Sequence, residues 1–217
     1  MNTGALYRVA RGDDGPAPRG GDAMRQHASG STPGSVALWV FMGVITSLFS
    51  LFVVAFGLRM DSADWHPIAL PWQVWLSTAL LVAGSVAMWR ASRAAQAGEP
   101  ANARRMLMLG GVGALAFVAS QLWAWQALGA ADVLPANNPA GSFFYMLTGM
   151  HGLHMVGGLV AWLGAWQGVR AGARAGAALR VRLLARYWHF MLAVWLVLLA
   201  ALGWLTPEIV RIICGTA

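Results

Sequence analysis

Five stretches of the 217-residue chain run for about 20 residues or more without an Asp, Glu, Lys or Arg: Ser35–Leu58, Pro67–Trp89, Met106–Ala131, Phe143–Val169 and Tyr187–Thr206. A helix rising about 1.5 Å per residue needs about 20 apolar residues to cross a hydrocarbon layer about 30 Å thick. None of the runs alternates strictly, and all exceed the roughly 10-residue strand of a membrane barrel. The pattern predicts an all-α fold, a polytopic membrane helical bundle with five transmembrane helices over 35–58, 67–89, 106–131, 143–169 and 187–206. Ahead of this membrane domain (35–217), residues 1–34 carry Pro16, Pro18, Pro33 and mixed charges with no apolar core of signal-peptide length, and read as a disordered cytoplasmic tail.

Composition agrees. Residues of hydrophobic type make up 58% and charged residues only 11%, against about 25% charged in soluble domains, too few to clothe a water-facing surface. The net charge of +7 does not mark a nucleic-acid binder, because the basic residues flank the apolar runs instead of forming one reading surface. All 15 basic residues are Arg, which, with the Ala and Gly richness, suggests a GC-rich bacterial genome and so a bacterial inner membrane. Thirteen of them lie on one side: four in the tail, then Arg90, Arg93, Arg104, Arg105, and Arg170, Arg174, Arg180, Arg182, Arg186. Arg59 and Arg211 lie on the other. Cytoplasmic loops carry the excess of basic residues, so the N-terminus is expected inside and the C-terminus outside, which requires an odd number of spans. The lone Cys214 cannot form an internal disulfide.

The spans contain no carboxylate. Intramembrane acids are the usual parts of proton pumps and ion-coupled carriers, and broken helices with Pro in matching halves are the mark of many transporters; a small transporter is therefore disfavoured. Three histidines do lie in the runs. His151 and His154, three apart, share a helix face; His189 sits near the inner end of the last run. Each imidazole either makes an interhelical hydrogen bond or ligates a metal or haem, and a bis-imidazole haem would pair His189 with His151 or His154. Gln121 and Gln126 need polar partners in lipid. Gly157, Gly164 and Gly168 form a small-residue stripe suited to close helix contact. Trp39, Trp65, Trp72, Trp89, Trp188 and Trp204 fall near run ends, as interfacial belts do.

Two segments are more specific. Gly141–Gly158 reads GSFFYMLTGMHGLHMVGG and Arg186–Trp195 reads RYWHFMLAVW. The first resembles the FF-x-x-TG-x-HG-x-H signature of subunit III of haem–copper terminal oxidases (cytochrome c oxidases), the second the YWHF…VW signature of that family's last helix. Ser120–Leu128 (SQLWAWQAL) and Pro71–Ser85 (PWQVWLSTALLVAGS) are similar to its Gln-containing and Leu-rich helices, in the same order over about 36–206. The resemblance implies the five-helix bacterial form of a non-catalytic subunit. Such a subunit carries no haem or copper, packs on subunit I beside subunit II, holds phospholipid and stabilises the complex that reduces O2 to water with electrons from cytochrome c or quinol. It carries Thr148, His151, His154, Trp188, His189 and Gln121 over as structural motif residues, with no catalytic, metal or cofactor ligand. Arg90, Arg93, Arg104, Arg105, Arg180, Arg182 and Arg186 are candidate lipid head-group contacts. The chain departs from the family where many members carry an acid: Gly43–Gly57 has none, Ala124 stands beside Trp125, and Leu192 follows the YWHF step. An accessory subunit of a nitric oxide reductase is the alternative within the same family; a self-contained haem-b electron carrier is the alternative outside it.

Overall fold

The computed structural model describes residues 33–60, 62, 64–133, 138–171 and 176–214. The described residues form six helices: α1 Pro33–Arg59, α2 Gln73–Gln96, α3 Pro100–Ala130, α4 Pro139–Arg170, α5 Ala177–Trp204 and the short α6 Pro207–Cys214. Residues 1–32 of the expected tail lie outside them, as does Arg174, and Pro33 and Gly34 already belong to α1.

The chain is thus a multi-pass helical membrane bundle. Four helices (α1, α2, α3 and α5) are long and apolar enough to cross a membrane. The fourth expected span is present as the 32-residue α4, but its seven glycines, two histidines, Thr148 and Gln167 lower its hydropathy, and on composition it stands apart from the others.

Helix ends differ from the expected run ends for a physical reason. A charge marks where hydrocarbon stops, whereas a helix stops where its backbone does. Pro100 and Pro139 start α3 and α4 at the position that needs no N–H donor, and the Asn138 side chain accepts from the Ala140 N–H at 2.9 Å as an N-cap. Residues 67–72, expected in the second span, are non-helical apart from a turn at Trp72, since Pro67 and Pro71 disfavour the α conformation of the residues before them. At the other end of α2, Gly98 adopts φ 76°, and the Glu99 N–H reaches back to the Ala94 carbonyl at 3.0 Å. This left-handed cap suits glycine and turns the chain directly into α3. The last large helix begins ten residues before the expected Tyr187, because Arg180, Arg182 and Arg186 lie within it.

α2 and α3 pack backbone to backbone. A Cβ added to Gly113 would sit 3.1 Å from the Gly84 Cα, so only small residues permit this approach. α5 lies against α2, α4 and α1, and α4 also against α3 and α1. One continuous core joins them, with Leu81, Met88, Leu107, Phe117, Phe144, Leu147, Met155, Met191 and Leu198 fully buried. α1 is held more loosely and presents Trp39, Val40, Val44, Leu51 and Leu58 outward. At its C-terminal end, Arg59 and Asp64 pair at 2.7 Å, and the guanidinium holds the Asp64 carboxyl down to about 2.

Candidate functional site

The two motif segments meet where α4 packs on α5. Thr148 is buried; its hydroxyl donates to the Phe144 carbonyl at 2.6 Å and accepts from Trp125 Nε1 at 3.0 Å. The Tyr145 hydroxyl closes the same corner against the Trp125 and Val133 carbonyls, both at 3.2 Å. One turn on, His151 has no exposure and neither ring nitrogen has a hydrogen-bond partner among the described residues. Aromatic rings surround it: Phe117 edge-on at 5.5 Å, Trp195 at 5.1 Å and Phe49 at 6.4 Å. Trp195 in turn donates to the Thr78 hydroxyl at 2.9 Å. Gln121, also buried, donates to the Ser77 hydroxyl at 2.5 Å, and the adjacent Ser120 to the Gln73 carbonyl at 3.1 Å. These bonds form a polar seam between α2 and α3, the partner that the buried amide needs. Gln126, in contrast, is exposed in the last turn of α3.

His154 and His189 go elsewhere. Each uses Nδ1 against the carbonyl one turn back, Met150 and Ala185 respectively, at 2.7 Å. A carbonyl only accepts, so Nδ1 carries the hydrogen in both. His154 lines a cleft of about 660 Å³ between α1, α4 and α5, and Tyr187, another lining residue, donates to the His154 carbonyl at 2.8 Å. His189 lines a different cleft, of about 510 Å³, between α1, α2 and α5. The three motif histidines are therefore not gathered: one lies in an aromatic cage and two in separate clefts. Among the described residues no group of three or more His, Cys, Asp or Glu side chains is placed to hold a metal ion.

Two expectations need correction. Trp188 is no interfacial belt residue: it is fully buried, its ring turned inward against Gly158 of α4. Trp39, Trp72, Trp89 and Trp204 are exposed, as belt residues are. The Gly157/Gly164 stripe makes no tight helix contact; a Cβ at either meets open space, and both line the His154 cleft. The close contact falls on its neighbour Gly158, whose Cβ would lie 2.8 Å from Tyr187 and 3.2 Å from Trp188. The residues that tie the motif together but were not singled out are Trp125, Tyr145, Tyr187, Trp162 and Trp195. Their signal was available: an indole or phenol inside a span must find a polar partner.

Arg90, Arg93, Arg104, Arg105, Arg180, Arg182 and Arg186 are all exposed and lie at the same end of the bundle, on the last turns of α2 and the first turns of α3 and α5. Arg180 lines the His154 cleft, Arg93, Arg182 and Arg186 the His189 cleft, and Arg90 a shallower one with Arg93.

Comparison with known proteins fits this arrangement. The chain is 29% identical over 159 residues to the probable cytochrome c oxidase subunit 3 of Nocardia farcinica, covering 71% of this chain and 77% of that protein. It is 29% identical over 122 residues to that of Mycobacterium tuberculosis, covering 56% and 60%. Over 154 residues it is 29% identical to cytochrome c oxidase subunit 3 of the lancelet Branchiostoma floridae, covering 70% and 57%; the chain thus spans about three fifths of these last two relatives. The model of the family described as cytochrome c oxidase subunit III matches residues 37–206, nearly all of the helical bundle, and the chain belongs to the cytochrome c oxidase subunit III family.

Proposed function

We propose that this chain is the non-catalytic subunit III of a haem–copper terminal oxidase in a bacterial inner membrane. It packs on subunit I in a complex with subunit II, and steadies that complex during O2 reduction without itself carrying haem or copper. One observation carries the reading: Thr148, His151 and Gln121 of the family motif are turned into the bundle. Thr148 and Gln121 hydrogen-bond within it and His151 is caged by rings, which suits a packing role. The separation of His154 and His189 into different clefts weighs against a haem clamped between them. The His154 cleft, apolar along α1 and the α4 glycines with Arg180 at its end, suits a phospholipid acyl chain.

In membranes from cells lacking the chain, the first turnovers of the oxidase should proceed normally and O2 uptake should then decay during sustained turnover. An identical time course with and without the chain would contradict the proposal.

The same reading takes α4 across the bilayer as the fifth span. Its 32 residues reach about 48 Å at about 1.5 Å per residue, and its polar Thr148 and His151 face the core. The N-terminus is then inside and the C-terminus outside. Alkaline phosphatase fused after Ala217 should be active and a fusion at Gly98 inactive; the reverse, or activity at both, rules this topology out.

A further inference from the structure

The short helix α6 has no part in the motif site, and its chemistry points elsewhere. It starts two residues after α5 ends. Leu205 is extended and stops α5. The Thr206 carbonyl and hydroxyl then accept from the Val210 and Ile209 N–H groups at 3.0 and 3.4 Å, as an N-cap does. Pro207 takes the first helical position, where no donor is needed. Residues three apart in a helix share a face, so PEIVRIIC sorts its residues onto three sides. Val210 turns to α1: a Cβ added to Gly57 would meet Leu205 at 3.8 Å and Val210 at 3.9 Å. Ile209 and Ile212 stay 40% and 72% exposed. Glu208 and Arg211, also exposed, take the third side.

Helices shorter than about 12–15 residues are marginal in water, so the eight residues of α6 depend on what they rest against. α1 covers one side. The bilayer is at hand for the next, because α6 flanks the last turn of one membrane span and directly follows another. Trp204, 74% exposed where α5 ends, marks the head-group level that indole favours. One apolar side, one charged side and a place at the membrane boundary are the features of a helix that lies in the interface.

We propose that α6 docks on the bilayer surface and thereby latches α1. Ile209 and Ile212 enter the boundary between head groups and acyl chains, Glu208 and Arg211 stay in water, and Val210 with Leu205 presses on Gly57. α1 presents Val44, Leu51 and Leu58 outward; at its C-terminal end it is clamped by a helix that the membrane itself holds in place. The partner is the lipid surface as a whole, not a single bound molecule. The inference needs the chain to be a membrane bundle but not the orientation proposed above.

The test uses the complete complex in phosphatidylcholine vesicles. Cys214 is the one cysteine of the chain, so Cys214→Ser supplies a background whose signal from partner subunits is subtracted. On it Glu208→Cys, Ile209→Cys, Arg211→Cys and Ile212→Cys are each labelled with bimane. A nitroxide on the upper acyl chain should quench the labels at Ile209→Cys and Ile212→Cys several-fold more than aqueous iodide does, and iodide should dominate at Glu208→Cys and Arg211→Cys. Iodide dominating at all four would put α6 in water and overturn the proposal. Labels at Ile209→Cys and Ile212→Cys that neither quencher reaches would overturn it too, by giving that side to a neighbouring subunit. The latch has its own readout. Ile209→Asn with Ile212→Asn should strip the amides of the last turn of α1 of their hydrogen-exchange protection while α3 keeps its own, and Ile209→Leu with Ile212→Leu should retain both. Unchanged protection in the Asn pair, or loss spread equally through α3, would contradict the latch. If the chain arrives without oxidase partners, the subunit reading fails by itself, and the quenching pattern still decides where α6 lies.

Discussion

Gly111→Leu should strip the chain from the membrane fraction, with accumulation falling by an order of magnitude or more. α3 and α4 meet at this residue. A Cβ on Gly111 would lie inside the volume of the Trp162 ring, and the same indole donates to the Leu107 carbonyl at 2.8 Å. The ring is rigid, so relief comes only by rotating it into lipid or by separating the helices. Rotation forfeits the hydrogen bond, about 0.6 kcal/mol in a membrane interior, and the ring's packing; separation adds the overpacking cost of about 1–3 kcal/mol. Gly157→Leu is the control. It lies on the next helix with open space at its Cβ, so its expression and thermal stability should match wild type. Equal behaviour of the two variants would show that the α3–α4 contact is not seated on Gly111.

The second large effect is expected at Trp188. Truncating a fully buried indole in a water-soluble protein costs about 3–5 kcal/mol, part transfer and part cavity. In a bilayer the transfer part is mostly missing, because lipid tails are as apolar as the core, so Trp188→Ala should cost about 2–3 kcal/mol, nearly all of it cavity. Trp188 Nε1 is buried without a partner among the described residues, and an unmet buried donor costs about 1–3 kcal/mol. Trp188→Phe removes that donor while keeping most of the ring, so it should lie within about 1 kcal/mol of wild type. Thermal unfolding in detergent separates these outcomes. If Phe destabilises as strongly as Ala, the indole N–H has a partner in the assembled complex and the motif tryptophan is a contact residue.

What could be read from residue order divides along physical lines. The helices, their order and the family were legible, because an uncharged run in lipid has few structural solutions and because TGMHGLH and YWHF are specific strings. Helix ends were less so: Arg180, Arg182 and Arg186 interrupt hydrophobicity but favour helix, so α5 is ten residues longer than its uncharged run; and closeness to a run end does not tell which face Trp188 occupies, which is the buried one. The glycine stripe failed for a related reason. Spacing says which glycines share a face but not what lies opposite, and here Gly157 and Gly164 face a cleft while Gly158 and Gly111 seat the neighbouring aromatics. The fate of the histidines was beyond sequence altogether, since the separation of His154 from His189 depends on how α1 lies between two clefts. One departure from the family fits the packing: Ala124 is fully buried, where an acid would lose its water.

The central claim, that this bundle exists to be part of an oxidase, is tested most directly by a gentle affinity purification of the tagged chain, with partners identified by mass and a reduced-minus-oxidised spectrum taken before and after they are stripped away. The account predicts that a haem–copper subunit I arrives with the chain, that the haem signal leaves with it, and that the remaining chain is colourless. Haem retained by the isolated chain and lost on His189→Ala, or a clean monomer with no oxidase partner, would contradict it.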